Sequence, residues 1–210
     1  MATPILIVSF TPPFRSDDFG GLVAAHAEAG LEVALEERRP LGPMAGLEWL
    51  TLTSIILFIG GSYFGGMLKK LGEDHYQVLK TQVKGLYGKL VGPKAPRVTM
   101  IGTPGKVAAQ RRYSLLFSLL AEAADGLRFK LLVPEAASEQ LYAEAVDAFV
   151  DFLDAFHHGK LSAQAITDLQ KVQVVGKTML LAYDEALKRV VPMDPRASSE
   201  RANPGQVTNE

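Results

Sequence analysis

The chain opens with a short, uninterrupted apolar run at residues 5–10 (ILIVSF), closed by Thr11-Pro12-Pro13. A run of this length bounded by turn residues predicts a buried strand. Asp17 or Asp18 then offers a helix N-cap, the helix runs to about Ala29, and Gly30 supplies its stop. Residues 31–38 set Leu31, Val33 and Leu35 against Glu32, Ala34 and Glu36. That period of two is the mark of a strand with one wet face. Together these segments predict an N-terminal β-α-β unit.

The most apolar window follows at residues 49–68 (WLTLTSIILFIGGSYFGGML), which carries no charge and lies between Glu48 and Lys69-Lys70. A bilayer-spanning helix needs roughly 20 apolar residues, so its length admits a span. Its polar content works against one, because Thr51, Thr53, Ser54, Ser62, Tyr63 and the pairs Gly60-Gly61 and Gly65-Gly66 offset the gain from its aliphatic residues. A span would also strand the first 45 residues on one side of a membrane, where a piece so small can hardly bury a core. The leading strand is expected to pair with strands after residue 97, which places the window inside the fold as a buried helix. Its contact candidates are Trp49, Ile55, Ile56, Phe58, Gly61 and Gly65; the Gly61-xxx-Gly65 spacing permits close backbone approach.

Residues 72–90 continue as an amphipathic helix with Tyr76, Leu79, Val83, Leu86 and Leu90 on one stripe and Lys80 and Lys84 opposite. The helical middle is thus expected over residues 44–91, stopped by Gly92-Pro93. A short strand is expected at 98–102. Residues 113–122 and 127–133 flank Asp125-Gly126, the strongest local hairpin signal in the chain. The first arm is apolar on both faces and reads as a central strand; the second, alternating with Arg128 and Lys130, reads as a more exposed one. Residues 138–158 form a helix whose buried stripe is Tyr142, Ala145, Phe149, Phe152, Leu153 and Phe156, with Glu144, Asp147, Asp151 and Asp154 on the other face. A second helix capped by Ser162 runs to about Lys171, and a last hairpin turns at Asp184-Glu185-Ala186. The fold class is α+β: an N-terminal β-α-β unit, a long central helix, then mostly antiparallel hairpins with a helix pair. Residues 1–194 are expected to make one domain, and the polar, Pro-punctuated residues 195–210 a disordered tail.

Composition narrows the chemistry more than it names it. A length of 210 residues and a hydrophobic fraction of 48% allow a sizeable core, while a formal net charge of −1 gives no global attraction to nucleic acid. The absence of cysteine removes disulfides, thiolate catalysis and cysteine-ligated zinc. MATPILIVSF lacks the basic region and apolar run of a secretory signal, and a cytoplasmic location is expected, with membrane association as the alternative.

No motif fulfils a catalytic template. Gly102-Thr103-Pro104-Gly105-Lys106 resembles a phosphate loop, but Met100 stands where a glycine is required and Val107 where Ser or Thr is required. Gly60-Gly61-Ser62-Tyr63-Phe64 approaches a nucleophile elbow, yet Phe64 replaces the second glycine and no strand obviously precedes Ser62. Glu73, Asp74 and His75 group two acids and an imidazole suited to acid–base work, although acids there also favour a helix start. His157-His158 point about 100° apart on a helix and cannot readily share an ion. No cofactor and no metal site is expected.

One asymmetry remains. Residues 69–97 hold Lys69, Lys70, Lys80, Lys84, Lys89, Lys94 and Arg97 against Glu73 and Asp74, whereas 135–154 hold six acids and no Lys or Arg. Solvated faces account for it simply; docking of the basic helix on the acidic helix of a second copy is the sharper expectation, and an acidic membrane surface could meet the same lysines. The sequence therefore points first to a self-associating, non-catalytic interaction module. A membrane-active protein releasing residues 49–68 comes second. A small-ligand or hydrolytic domain comes third, and it requires a concave pocket.

Overall fold

The computed structural model describes residues 5–39, 53–64, 73–96, 112–172, 174 and 176–194. The chain runs β1 (Leu6–Phe10), a 3-10 turn (Ser16–Phe19), α1 (Gly20–Glu28), β2 (Val33–Glu37), β3 (Ile55–Ile59), α2 (Glu73–Gly85) and α3 (Tyr87–Leu90). It continues with β4 (Tyr113–Glu122), β5 (Arg128–Pro134), α4 (Glu139–His157), α5 (Ala163–Lys171), β6 (Thr178–Asp184) and β7 (Arg189–Met193). The seven strands form one sheet in the order β2-β1-β3-β4-β5-β6-β7.

Register divides this sheet into two faces. Leu6, Val8 and Phe10 pair with Ile59, Leu57 and Ile55, and these with Ala121, Leu119 and Phe117. With Phe129, Leu131, Met179 and Leu181 they form the main core, shared with Leu22 of α1, Leu79 and Val83 of α2, and Tyr142, Val146, Phe149 and Leu153 of α4. Tyr113, Leu132, Leu180 and Ala182 make a smaller cluster on the opposite face. Helix ends follow local chemistry. The Ser138 and Ser162 side chains accept from the Leu141 and Ala165 amides at 3.1 and 3.2 Å, and Gly159 with φ 66° ends the longer helix.

The β-α-β unit stands as expected, β1 and β2 being parallel. So does the hairpin: Asp125 and Gly126 both take positive φ, 53° and 75°, and the Leu127 amide closes on the Ala124 carbonyl at 2.8 Å. β4 is the central strand of the seven.

Four expectations need correction. The window at 49–68 is not a helix through its centre, because Ile55–Ile59 is a strand. Ile55 and Ile56 are buried and Phe58 is half-buried there, Gly61 lies in the turn that follows, and Trp49 and Gly65 lie outside the described residues. β1 pairs with this strand on one side and β2 on the other, not with strands after 97. The pairing is not mostly antiparallel: β1–β2, β3–β4 and β5–β6 are parallel and the remaining three pairs antiparallel. β5 is an interior strand, since β6 closes its other edge and Lys130 is buried. The strand expected at 98–102, the tail at 195–210 and much of the helical middle lie outside the described residues.

Candidate functional site

Helix α2 turns His75 inward. Glu73, Asp74 and His75 are consecutive, so one helical turn spreads them apart; His75 is buried, while the side chains of Glu73 and Asp74 lie outside the described set. The His75 Nδ1 lies 3.1 Å from the Tyr63 hydroxyl, which also reaches the His75 carbonyl at 3.2 Å. The ring of His26, from α1, stands 5.6 Å away. His26 Nδ1–H donates to the Leu22 carbonyl at 2.8 Å, and neither histidine's Nε2 has a partner. Burial lowers both imidazole pKa values, and for His75 the neighbouring His26 lowers it further. Burial also drives the Tyr63 phenol well above its ordinary value. The cluster is an interior joint between α1, α2 and the turn after β3, closed to substrate.

The opposed charges of the helices meet within the chain. Lys80 Nζ lies 2.7 Å from Asp151, which also accepts from the Tyr76 hydroxyl, and Lys84 Nζ lies 3.0 Å from Asp147. Glu144 takes Lys188 at 2.8 Å and Tyr183 at 2.9 Å. Hydrogen bonds from Lys188, then Gln140 and Tyr183, hold its carboxyl down at about 2. Asp154 pairs with His158 at 3.2 Å. Complementarity that the sequence assigned to two copies therefore joins α2 to α4 and α4 to the β6–β7 hairpin. Lys69 and Lys70 lie outside the described residues.

Ser62 does follow a strand, contrary to the expectation, since β3 ends at Ile59. The nearest imidazole chemistry is already occupied: His157 Nε2 lies 3.0 Å from the Glu122 carbonyl, and its ring stacks on Phe64. The Glu122 carboxylate accepts the Gly61 amide at 3.0 Å. Among the described residues no group of three or more His, Asp or Glu could hold a metal ion. Among the described helices none is long and apolar enough to cross a membrane.

A concave surface among the described residues lies at the carboxyl end of β1. A cavity of about 390 Å³ opens between the loop after that strand and α3. Phe14, Phe19, Leu86 and Leu90 give it apolar walls, and Lys89, Lys94 and Asp18 bring charge to it. Local chemistry fixes each part. The Asp18 carboxylate accepts the Arg15 amide at 2.9 Å, which closes the 3-10 turn and directs Phe19 into the core. Lys89 Nζ donates to the Asp18 carbonyl at 2.8 Å, tying α3 to that turn. The Lys94 side chain stands exposed. Pro12-Pro13 after a buried strand was the visible sequence signal, because crevices outside strand carboxyl ends are where open α/β sheets hold ligands. In the sequence alone the two prolines mark only the end of the strand.

Comparison with protein-family models, with curated proteins and with solved structures finds no match to the chain.

Proposed function

We propose that this chain is a small-molecule-binding α+β domain whose ligand is an anion with an apolar body, held in the crevice between the β1–α1 loop and α3. The observation that carries the reading is the pairing of an apolar cavity with two lysines in its lining. The volume of about 390 Å³ falls within the roughly 300–1,000 Å³ usual for small-ligand sites. Phe14, Phe19, Leu86 and Leu90 would cover a ring or short aliphatic body, while Lys89 and Lys94 would meet a phosphate or carboxylate. Asp18 offsets one of the two lysines, leaving one positive charge in excess. The self-association reading is less favoured, since Lys80, Lys84, Asp147 and Asp151, four of the charges it relied on, are paired within the chain. The membrane reading loses the helix it required, because Ile55–Ile59 lies in the sheet.

The test uses 1-naphthyl phosphate, an aromatic body bearing one phosphate, titrated into the labelled protein and followed by amide NMR shifts. Amide shifts should cluster on residues 14–19, 86–92 and 94, and Lys89→Glu with Lys94→Glu should weaken binding by about tenfold, the effect of ~1.4 kcal/mol. Shifts scattered away from those residues, or affinity indifferent to both substitutions, would sink the reading.

A further inference from the structure

The crevice beside α3 is graded in polarity from its floor to its mouth. Phe19, Leu86 and Leu90 line it from the interior, at 1%, 7% and 2% exposure, whereas Lys89 and Lys94 are exposed at its rim. An apolar group that enters leaves water, while an anion that meets either ammonium stays in contact with it. This order sets the direction of entry, apolar end first and charge last.

The two lysines reach the rim differently. Lys89 Nζ donates to the Asp18 carbonyl at 2.8 Å. Asp18 is itself held by Arg15, whose carbonyl accepts the Asp18 amide at 3.0 Å and whose amide donates to the Asp18 carboxylate at 2.9 Å. Lys89 thus bridges α3 and the 3-10 turn and presents its charge from a fixed point. An ammonium carries three donors, so this bond leaves others for a ligand. Lys94 follows in the turn after α3 and stands exposed.

Charge then selects the anion. The lining holds two lysines and one aspartate, two positive charges less one negative, which leaves one positive charge in excess. A phosphate monoester brings about −1.5 to −2 at pH 7. A carboxylate joined onward as an ester or amide brings none. A phosphodiester keeps a single negative charge while carrying a substituent on each side.

We propose that the crevice takes the apolar terminus of a phosphodiester, with the phosphate at the rim by Lys89 and Lys94 and the second substituent directed into solvent. Resting on the crevice as a ligand site, this adds the kind of anion, the direction of entry and a ligand that extends beyond the cavity.

Amide NMR titrations of the full chain with naphthyl probes, read at the crevice residues, test the assignment. Methyl 1-naphthyl phosphate, a diester, should bind at least as tightly as 1-naphthyl phosphate. Replacing its methyl with a triethylene glycol tail should change affinity by less than about twofold, because the tail leaves through the mouth. The same tail on the far ring carbon should weaken binding by about tenfold, since its ether oxygens would lose water against an apolar floor. Lys94→Met should weaken both diesters by about threefold, the scale of an exposed charge contact, and leave neutral 1-naphthol unchanged. Tighter binding of the monoester than of the methyl diester, or equal loss from the tail at either end, would overturn the assignment and leave the crevice a ligand site. Binding of none of these compounds would overturn both.

Discussion

His26 and His75 occupy the interior as neutral imidazoles, each with one ring nitrogen engaged and the other bare. Protonating either would place a cation without an acceptor beside a second imidazole. In the unfolded chain both titrate near the ordinary 6.5, whereas burial lowers the folded values. The unfolded state therefore binds more protons below that pH, and stability falls as pH drops from about 6.5 toward the folded values. Urea denaturation midpoints should decline between pH 7 and 5.5 in the wild type and decline less steeply in His26→Leu; parallel slopes would refute the assignment. Sequence reading could place His75 beside two acids but not turn it inward. Its partners, Tyr63 and His26, come from segments 12 and 49 residues away, and no local pattern announces that meeting. Arg38 likewise finds its acceptors, the Thr53 and Ser54 carbonyls, at a distance along the chain.

At the level of elements, legibility followed periodicity. The helix at 139–157 shows its stripe, and Tyr142, Ala145, Phe149 and Leu153 are buried as the spacing predicts. Phe152 and Phe156 are half-buried rather than inside, and Val146 and Val150 take the interior positions. The window around β3 was harder, because a continuous apolar run looks alike in a buried helix and a buried strand. The β-branched Ile55, Ile56 and Ile59, followed by Gly60-Gly61, were the local cue in favour of a strand. Leu57 sits in that strand, 1% exposed, between β1 and β4, so Leu57→Ala should cost about 2–5 kcal/mol in chemical denaturation. A cost below 1 kcal/mol would mean that β3 is not the interior strand described.

The ion pairs between α2 and α4 make a separate prediction at this scale. Lys84→Glu would face Asp147 with a like charge and should lower stability by up to about 1 kcal/mol, with Lys84→Glu/Asp147→Lys recovering most of it. Sedimentation should not change in either variant. A contact between copies would do the reverse, altering sedimentation and leaving unimolecular stability constant.

Across the whole molecule, the class α+β and a sheet with helices packed on it follow from the alternation of segments, but strand order does not. Parallel and antiparallel pairs alternate from β2 to β7. Their directions depend on how long connections cross the sheet, which residue patterns inside the strands do not encode. The same arrangement brings the start of β3 beside the end of β1: the Thr11 amide bonds the Ser54 carbonyl at 3.0 Å. That bond ties the loop leading into the proposed crevice to the start of β3.

The order β2-β1-β3-β4-β5-β6-β7 also bears on how a nascent chain assembles. Among the described strands, each lies at the rim of those that precede it in the chain, so none must be wedged between two predecessors. With β2 on the far side of β1, the described strands that follow in the chain all add on the other flank, and β7 is the outermost of them.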